Sequence, residues 1–388
     1  MDVKAILIVT GPAEGSREML ADVPLSLLPA LGRPVISHTL DRLLSFGAEV
    51  TAIIEAAPAA YLRPLQRPGL KWIQTGKSGS LWNAAESCFN EYAQNGADLV
   101  LVFRLGAYAE FDLERLLQFH LEQRQRVTRL EDPNGPLDMF LISASRRNDG
   151  AYMFRHKLAA FRTACGRFRF TGYVNRLADV HDLRRLATDS LQLKTAIVPA
   201  GAQIKPGVWI EESARIHRSA RILAPAFVGA HSKVRAAAVL TRGAVIEHHA
   251  EIDCGTVVEN ASVLPYTYVG AGLDLSHAVA GFRRLLHLER NVTVEIDDPK
   301  LLGRAPAAAP LRVLAAAAAL AGYVPGQFYR GLLSRRSRES LTESPAAIKS
   351  PPAASQVPAP PGRENVAAEG EDPKFSANFA IARRYGNQ

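Results

Sequence analysis

An aliphatic residue recurs at every sixth position across residues 202–264. The eleven positions are Ile204, Ile210, Ile216, Ile222, Val228, Val234, Leu240, Ile246, Ile252, Val258 and Leu264. A period of six fits neither an α-helix, with its 3.6 residues per turn, nor a strand that alternates every second residue. It is typical of a parallel β-helix, in which each short strand stacks on its equivalent one coil later. The repeat therefore predicts a coil stack, with these aliphatic side chains in its interior.

Three detailed expectations follow from the repeat. Ile222 is predicted to be fully buried, with Ile204 and Leu240 stacked on either side of it at a spacing of eighteen residues. The period ends after Leu264. Tyr266 and Tyr268 are too large for the small positions of a coil and are predicted to close the open end of the stack, since a solenoid needs a cap.

Before the repeat, apolar runs of strand length alternate with segments that are apolar at helical spacing. Predicted strands cover residues 3–10, 50–54 and 98–103, and predicted helices cover residues 34–46, 81–92 and 113–124. Strands that alternate with helices indicate an open α/β sheet. In such a sheet, ligands bind at the carboxyl ends of the strands.

Four stretches of this region, in their order along the chain, resemble the NTP:sugar-1-phosphate nucleotidyltransferase family. They are residues 22–40 (DVPLSLLPALGRPVISHTL), the turn Ser78-Gly79-Ser80-Leu81, residues 99–113 and the pair Gly172-Tyr173. The resemblance covers about residues 3–300. It implies a Rossmann-like nucleotidyltransferase domain followed by a hexapeptide-repeat β-helix, whose left-handedness is inferred from the family alone.

The resemblance also implies a ligand, a nucleotide or a sugar nucleotide, and a set of site residues. Arg17 would be the catalytic arginine of the turn after the first strand. The implied binding residues are Gly11, Gly15, Ser16, Ser78, Gly79, Gly172 and Tyr173.

Two charged groups of that family are replaced in this chain. Leu25 stands where the family has a phosphate-binding Lys, and Gly106 stands where it has the Asp that holds Mg²⁺. In addition, Pro12 lacks the N–H that a phosphate-binding turn would use. Because nucleotidyl transfer depends on stabilising negative charge, we expect a protein with the fold but weak or no catalysis. It would sense a sugar nucleotide or serve as an assembly subunit, and it would need no cofactor.

Two alternatives remain open. The first is an active transferase, which would need Mg²⁺. The second is a hexapeptide acyltransferase, which would use a histidine of the repeat region as its general base. The candidate histidines are His217, His231, His248 and His249. Arg17, Arg33 and Arg104 are either anion-binding residues or solvated surface arginines.

The predicted domains are an α/β domain over residues 1–190, the coil stack over 191–300, a linker with a short Ala-rich helix over 301–333, and a disordered tail over 334–388. The tail is rich in proline and polar residues, which cannot bury enough apolar surface to fold. Residues 311–338 are interpreted either as a helix packed on the body or as a peripheral contact with an anionic membrane.

The net charge and the cysteine content limit which partners and which cellular compartment are expected. The formal net charge is +8, but the basic residues are scattered, so nucleic acid is not an expected partner. Three isolated cysteines, Cys88, Cys165 and Cys254, suit a reducing compartment, so a cytoplasmic location is expected. A homo-oligomer formed through the coil stack is the expected assembly.

Overall fold

Two sheet systems follow one another along the chain, an α/β sheet and then a series of coils with short strands. The computed structural model describes residues 1–10, 23–55, 62–76, 80–124, 126–144, 166–281 and 283–305. These residues belong to one compact unit, Met1–Ala305. The tail, the Ala-rich helix and the proposed membrane contact at 311–338 lie outside the described residues.

In its described residues, the first system contains eleven strands and four α-helices. Its strands are β1 (Val3–Val9), β2 (Pro29–Ala30), β3 (Arg33–Pro34), β4 (Glu49–Glu55), β5 (Leu70–Thr75), β6 (Leu99–Leu105), β7 (Tyr108–Ala109), β8 (Val127–Asp132), β9 (Gly135–Ser143), β10 (Gly166–Arg169) and β11 (Val174–Asn175). Its helices are α1 (Val35–Ser45), α2 (Ser80–Gln94), α3 (Leu113–Glu122) and α4 (Val180–Leu191), with 3-10 turns at Leu25–Leu27 and Arg63–Leu65.

Seven of these strands form a mixed sheet in the order β10-β8-β9-β6-β1-β4-β5. Strand β1 is parallel to both β4 and β6, and β9 is antiparallel to β6. Residues 5–9 of β1 are completely buried, as expected for a central strand covered on both faces. The predicted α/β sheet is therefore confirmed, and the three predicted strands and three predicted helices all form.

The described part of the second system, up to residue 305, contains seventeen short strands. They are β12 (Ala202–Lys205), β13 (Val208–Ile210), β14 (Arg215–Ile216), β15 (Arg221–Ile222), β16 (Ala226–Val228), β17 (Lys233–Val234), β18 (Val239–Thr241), β19 (Ala244–Ile246), β20 (Glu251–Ile252), β21 (Val257–Glu259), β22 (Ser262–Val263), β23 (Thr267–Val269), β24 (Asp274–Ser276), β25 (Ala278–Gly281), β26 (Arg284–His287), β27 (Val292–Glu295) and β28 (Leu302–Arg304).

From β13 to β25, consecutive strands visit three sheets in turn, and each strand up to β22 pairs in parallel with the strand three places later. The aliphatic residues stack in register, so that Ile222 pairs with Leu240 and Leu240 with Val258. Leu240 and Val258 have no exposed surface. This arrangement is compatible with the predicted parallel β-helix.

The first coil differs from the prediction. Ile204 is 60% exposed because β12 folds back on β13 as an antiparallel hairpin. Strand β15 is the first strand of its sheet, so Ile222 stacks on Leu240 but has no strand on its other side. Ile222 is consequently only half-buried. The predictions of full burial and of Ile204 above Ile222 were wrong.

The last repeat position also differs. Ile246 pairs with Val263, seventeen residues later, and not with Leu264. Val263 occupies the interior of the coil, whereas the buried Leu264 belongs to the core of the α/β sheet. A shift of one residue in a strand moves its side chains to the opposite face. Here the shift places Val263 in the core of the coil stack and Leu264 in the core of the α/β sheet, so the two cores meet at this strand.

The end of the coil stack is covered by strands and not by tyrosines. Strands β26 and β27 extend one sheet by antiparallel pairing, and β28 pairs antiparallel with β23. Tyr266 is 50% exposed at a corner. The prediction that Tyr266 and Tyr268 close the stack was therefore wrong.

The α/β part packs against one face of the coil stack through a surface that we call the junction. Its buried apolar cluster combines residues of the β2–β3 turn, of α4 and of the strands β16 and β19. They are Leu31, Ala187, Leu191, Phe227 and Val245. Phe227 has no exposed surface, so the junction is a packed interior.

Candidate functional site

The parallel strands end together at one edge of the α/β sheet. Val9, the last residue of β1, pairs with Ile54 of β4 and with Leu105 of β6. Glu55 pairs in turn with Thr75, the last residue of β5. The carboxyl edge of a parallel sheet is the usual ligand-binding position in open α/β folds. We therefore take this edge as the candidate site.

Most of the site residues inferred from the family follow these strand ends directly along the chain. Gly11, Gly15, Ser16 and Arg17 come after β1, and Ser78 and Gly79 come after β5, and all six lie outside the described residues. Of the residues inferred to bind substrate, the structure describes Gly172 and Tyr173. Their assignment to the site stays a prediction.

Gly106 follows β6 at the same edge. Its N–H donates to the carbonyl of Arg104 at 2.9 Å. Among the described residues, a Cβ built on Gly106 would meet no heavy atom within 4 Å, and its φ lies outside the left-handed region that favours glycine. The described surroundings therefore leave room for a side chain at the position predicted to correspond to a metal-binding aspartate.

The carboxylates that follow Gly106 have other partners. One oxygen of Glu110, Oε1, accepts both the hydroxyl of Tyr108 at 2.8 Å and the N–H of Ala196 at 2.7 Å. Asp112 caps α3, with Oδ1 accepting from the N–H groups of Glu114 at 2.9 Å and Arg115 at 3.2 Å. Both side chains hold backbone in place, and an N-cap of this kind stabilises a helix by about 1 kcal/mol.

The two described candidate arginines are also paired. Arg104 lies 3.4 Å from Asp138, which is bonded on its other oxygen to the buried Arg129 at 3.2 Å. Arg33 forms an ion pair with Asp41. The Arg104 side chain keeps 42% of its surface exposed. It can therefore still attract an anion, although Asp138 offsets part of its charge.

Gly172 and Tyr173 hold the short sheet formed by β7 and β11. A Cβ on Gly172 would lie 1.7 Å from the carbonyl oxygen of Glu110, so only glycine allows this close approach. The N–H of Glu110 donates to the carbonyl of Tyr173 at 2.8 Å. The Tyr173 hydroxyl donates to Asp189 at 2.9 Å, and burial raises the pKa of Tyr173 to about 12. The hydroxyl is therefore protonated at neutral pH.

Leu25 lies in the interior and not at the carboxyl edge. It is 5% exposed and belongs to the main core of the sheet, together with Leu27 and Leu28. A lysine with this side-chain direction would have to bury its charge, which is costly without a partner. The position predicted to correspond to a phosphate-binding lysine is thus occupied by a core side chain.

His231 and His249 form a column of rings with Tyr266 at one corner of the coil stack. The ring centroids of His231 and His249 are 4.8 Å apart, and those of His249 and Tyr266 are 4.8 Å apart and nearly parallel. Burial lowers the pKa of His248 to about 4. A general base works best with a pKa near the operating pH, so His248 is poorly suited to that role. His217 lies apart from the column and bonds to Ser219 at 2.8 Å.

A buried carboxyl group at the junction was missed by the sequence analysis. Glu247 is 2% exposed, and its two oxygens accept the N–H groups of Leu31 at 2.9 Å and Gly32 at 3.0 Å. Glu211 lies beside it, with Oε1 buried and without a hydrogen-bond partner. Burial raises the pKa of Glu247 to about 7, and the neighbouring charge of Glu211 adds to the shift. The one sequence feature that could have indicated this group is that Glu247 directly follows the interior residue Ile246.

A buried arginine crosses the junction from the other side and was also missed. Arg184 of α4 is 5% exposed and donates to the carbonyl of Gly243 at 2.7 Å, to Ser262 Oγ at 3.0 Å and to Asn260 Oδ1 at 3.0 Å. Burial lowers its pKa to about 10. Its contacts attach α4 to two successive coils.

In the described ranges, no three His, Cys, Asp or Glu side chains come together as a metal-binding group. None of the helices in this part of the chain is long and apolar enough to cross a membrane.

Comparison with known proteins gives a limited likeness. No family model matches the chain, and no curated protein matches it. One solved structure with a similar fold is that of a Bacillus anthracis protein described as a glucose-1-phosphate thymidylyltransferase, in complex with a sucrose. The two chains share 14% identity over 50% of this chain and 96% of the other, with a TM-score of 0.40. The likeness concerns the fold, and family membership does not follow from it.

Proposed function

We propose that this chain is a sugar-nucleotidyltransferase-like protein that binds a nucleotide or a sugar nucleotide but carries out little or no nucleotidyl transfer. Its coil stack would be the left-handed hexapeptide β-helix implied by the sequence resemblance. The proposal rests on the residues at and after Gly106. The acid expected at this position is absent, and Glu110 and Asp112, the next carboxylates along the chain, are already bonded to other groups.

The described residues at this edge do not fit a Mg²⁺ ion. Magnesium is usually held by one or two carboxylates together with substrate phosphates. Asp138 is engaged by two arginines. Glu55 ends β4, which is two strands away from β6 in the sheet. Neighbouring strands are about 4.8 Å apart, so Glu55 lies too far from Gly106 to replace the missing acid there.

We expect no Mg²⁺-dependent release of pyrophosphate when the purified protein is given any nucleoside triphosphate with a common sugar 1-phosphate. A single electrostatic contact to a developing oxyanion is worth about 2.7–4 kcal/mol. The loss of two, at Leu25 and Gly106, would slow turnover by about four orders of magnitude or more. A turnover near 1 s⁻¹ or faster, about the low end for ordinary enzymes, would contradict this and favour the active transferase.

Gly106→Asp is expected to fold as well as the wild type, with a melting temperature within about 2 °C, because the added side chain meets none of the described residues. Thermal unfolding followed by circular dichroism measures this. Gly172→Ala is the contrasting variant, since its Cβ would collide with the Glu110 carbonyl. Equal destabilisation of the two variants would show that the space at Gly106 is occupied in solution.

Ligand binding tests the proposal directly. Isothermal titration against a panel of nucleoside triphosphates and nucleotide sugars, with and without Mg²⁺, is expected to give binding that does not require the metal. Gly106→Asp should make the binding of a triphosphate respond to Mg²⁺, since it adds a carboxylate at this edge. Failure of the whole panel to bind would reject a nucleotide or sugar-nucleotide ligand.

A further inference from the structure

The open end of the coil stack, formed by the first coil from Lys205 to Leu223, carries a ring of four exposed basic side chains. They are Lys205, Arg215, Arg218 and Arg221. Lys205 lies on β12, Arg215 on β14 and Arg221 on β15, so each of the three sheets contributes one cation. Arg218 lies between β14 and β15, which extends the ring around the end of the stack.

These four cations have no ion-pair partner in the described part of the chain. In the coils below, by contrast, basic residues pair with acids of the next coil. Lys233 lies 3.3 Å from Glu251, and Arg242 pairs with Glu259. The first coil has two acids, the exposed Glu212 and the partly buried Glu211, so four cations less two carboxylates leave this end with a net charge of +2.

Apolar side chains are also exposed in the first coil and in the β12 strand that precedes it. Ile204 is 60% exposed and Leu223 is 45% exposed. A Cβ on Gly207 would lie 3.2 Å from the Cβ of Ala224, which brings the β12–β13 turn next to Leu223. The interior residues Ile216 and Ile222 are only half-buried, because no coil covers them. The open end therefore carries exposed apolar side chains as well as exposed cations.

We propose that the open end of the coil stack docks on an anionic lipid membrane. Basic side chains near an anionic lipid surface each contribute about 1 kcal/mol of attraction. Exposed aliphatic side chains add binding when they enter the boundary between head groups and acyl chains. Both kinds of side chain lie on one end of the molecule, so they reach the lipid surface together.

Charge and strand length favour a lipid surface over a protein partner. Two copies that met end to end by a two-fold axis would bring their cationic rings together, and like charges in an interface are unfavourable. Strands β14 and β15 have two residues each. Such short edges offer little for an added strand from a partner chain. A fluid lipid surface, unlike a protein partner, does not need a shape complementary to the end of the coil stack.

Co-sedimentation of the full chain with vesicles tests this proposal. We expect binding to vesicles of phosphatidylglycerol and phosphatidylcholine, and much weaker binding to phosphatidylcholine alone. The triple variant Arg215→Gln, Arg218→Gln, Arg221→Gln should partition on the order of a hundredfold more weakly, from about 1 kcal/mol per basic residue. Ile204→Ser with Leu223→Ser should also weaken binding. A matched control, Arg63→Gln, Arg115→Gln, Arg290→Gln, removes the same charge from exposed positions elsewhere and should bind as the wild type does.

Three outcomes would overturn the proposal. The wild type could fail to bind anionic vesicles. The triple variant could bind as well as its control, which would place the lipid contact elsewhere on the chain. Finally, sedimentation without lipid could show a dimer that the triple variant abolishes, which would identify the occupant as a second copy.

Discussion

Replacing Arg184 with alanine is expected to lower the free energy of unfolding by about 3 kcal/mol. The change leaves two buried acceptors, on Gly243 and Ser262, and a partly buried one on Asn260 without their donor. A buried polar group that loses its partner costs about 1–3 kcal/mol. Relief from burying the arginine charge, which the lowered pKa of Arg184 reflects, offsets part of this cost. A fall in Tm of at least about 6 °C is therefore expected in thermal unfolding.

Arg185 provides the matched control on the same helix. Its side chain is 58% exposed and pairs with Asp182 at 2.9 Å. Exposed ion pairs contribute about 0–1 kcal/mol, so Arg185→Ala should change the Tm by no more than about 2–4 °C. If both variants lose the same stability, the junction contacts of Arg184 contribute nothing beyond an ordinary surface pair.

The stability of the wild type relative to Glu247→Gln is expected to fall by about 3 kcal/mol between about pH 4.5 and pH 8. The pKa of Glu247 rises from an ordinary value of 4.5 to about 7 on folding, because the side chain is buried and Glu211 lies nearby. Below about pH 4.5 the carboxyl group is protonated in both states, and its contribution to stability is fully present. As the pH rises through about 7, the folded protein must hold a buried charge, and that contribution is lost.

The other polar groups near Glu247 act in the opposite direction or remain in both proteins. The backbone N–H groups of Leu31 and Gly32 favour the charged carboxylate. Burial lowers the pKa of His248 and of His249 on the neighbouring corner, so their contribution to stability is lost as the pH falls. These histidines are present in the wild type and in the variant, and their effect cancels in the difference.

Thermal unfolding of both proteins at a series of pH values measures the Glu247 effect. Glu212→Gln is the control, because this exposed neighbour of Glu211 lies outside the junction, and it should keep the pH dependence of the wild type. Glu211→Gln should move the loss of stability to lower pH, since it removes the charge that helps to raise the pKa of Glu247. Parallel curves for the wild type and Glu247→Gln would show that Glu247 stays ionised in the junction.

The sequence predicted most of the coil interior correctly, and its two failures have simple physical causes. Leu240 and Val258 are interior residues because a strict repeat fixes their position in every coil. At the end of the repeat, one residue is missing from the coil between Ile246 and Val263. Aliphatic residues occupy both 263 and 264, so the pattern of six continues in the sequence although the register has changed. The prediction for Ile204 was wrong because β12 folds back on β13 as an antiparallel hairpin, which leaves Ile204 exposed.

The site was less predictable than the fold. A resemblance identifies positions along the chain, but it does not report what a side chain contacts. Leu25 illustrates this, because its replacement of a lysine is also a core substitution. Glu247 and Arg184 could not be identified at all, since each is buried by residues distant in sequence. The nearest partners of Glu247 are more than two hundred positions earlier, at Leu31 and Gly32.

Leu264 has a consequence for the modularity of this protein. Together with Val279 and Leu286 of the coil stack, it belongs to the same buried cluster as Leu7 and Leu101 of the α/β sheet. A chain cut between these two parts would leave apolar surface uncovered on both fragments. The repeat region is therefore not an appendage that could be exchanged for another solenoid. Its residue count per coil is adjusted to fit one particular neighbour, and we expect the two parts to unfold as a single cooperative unit.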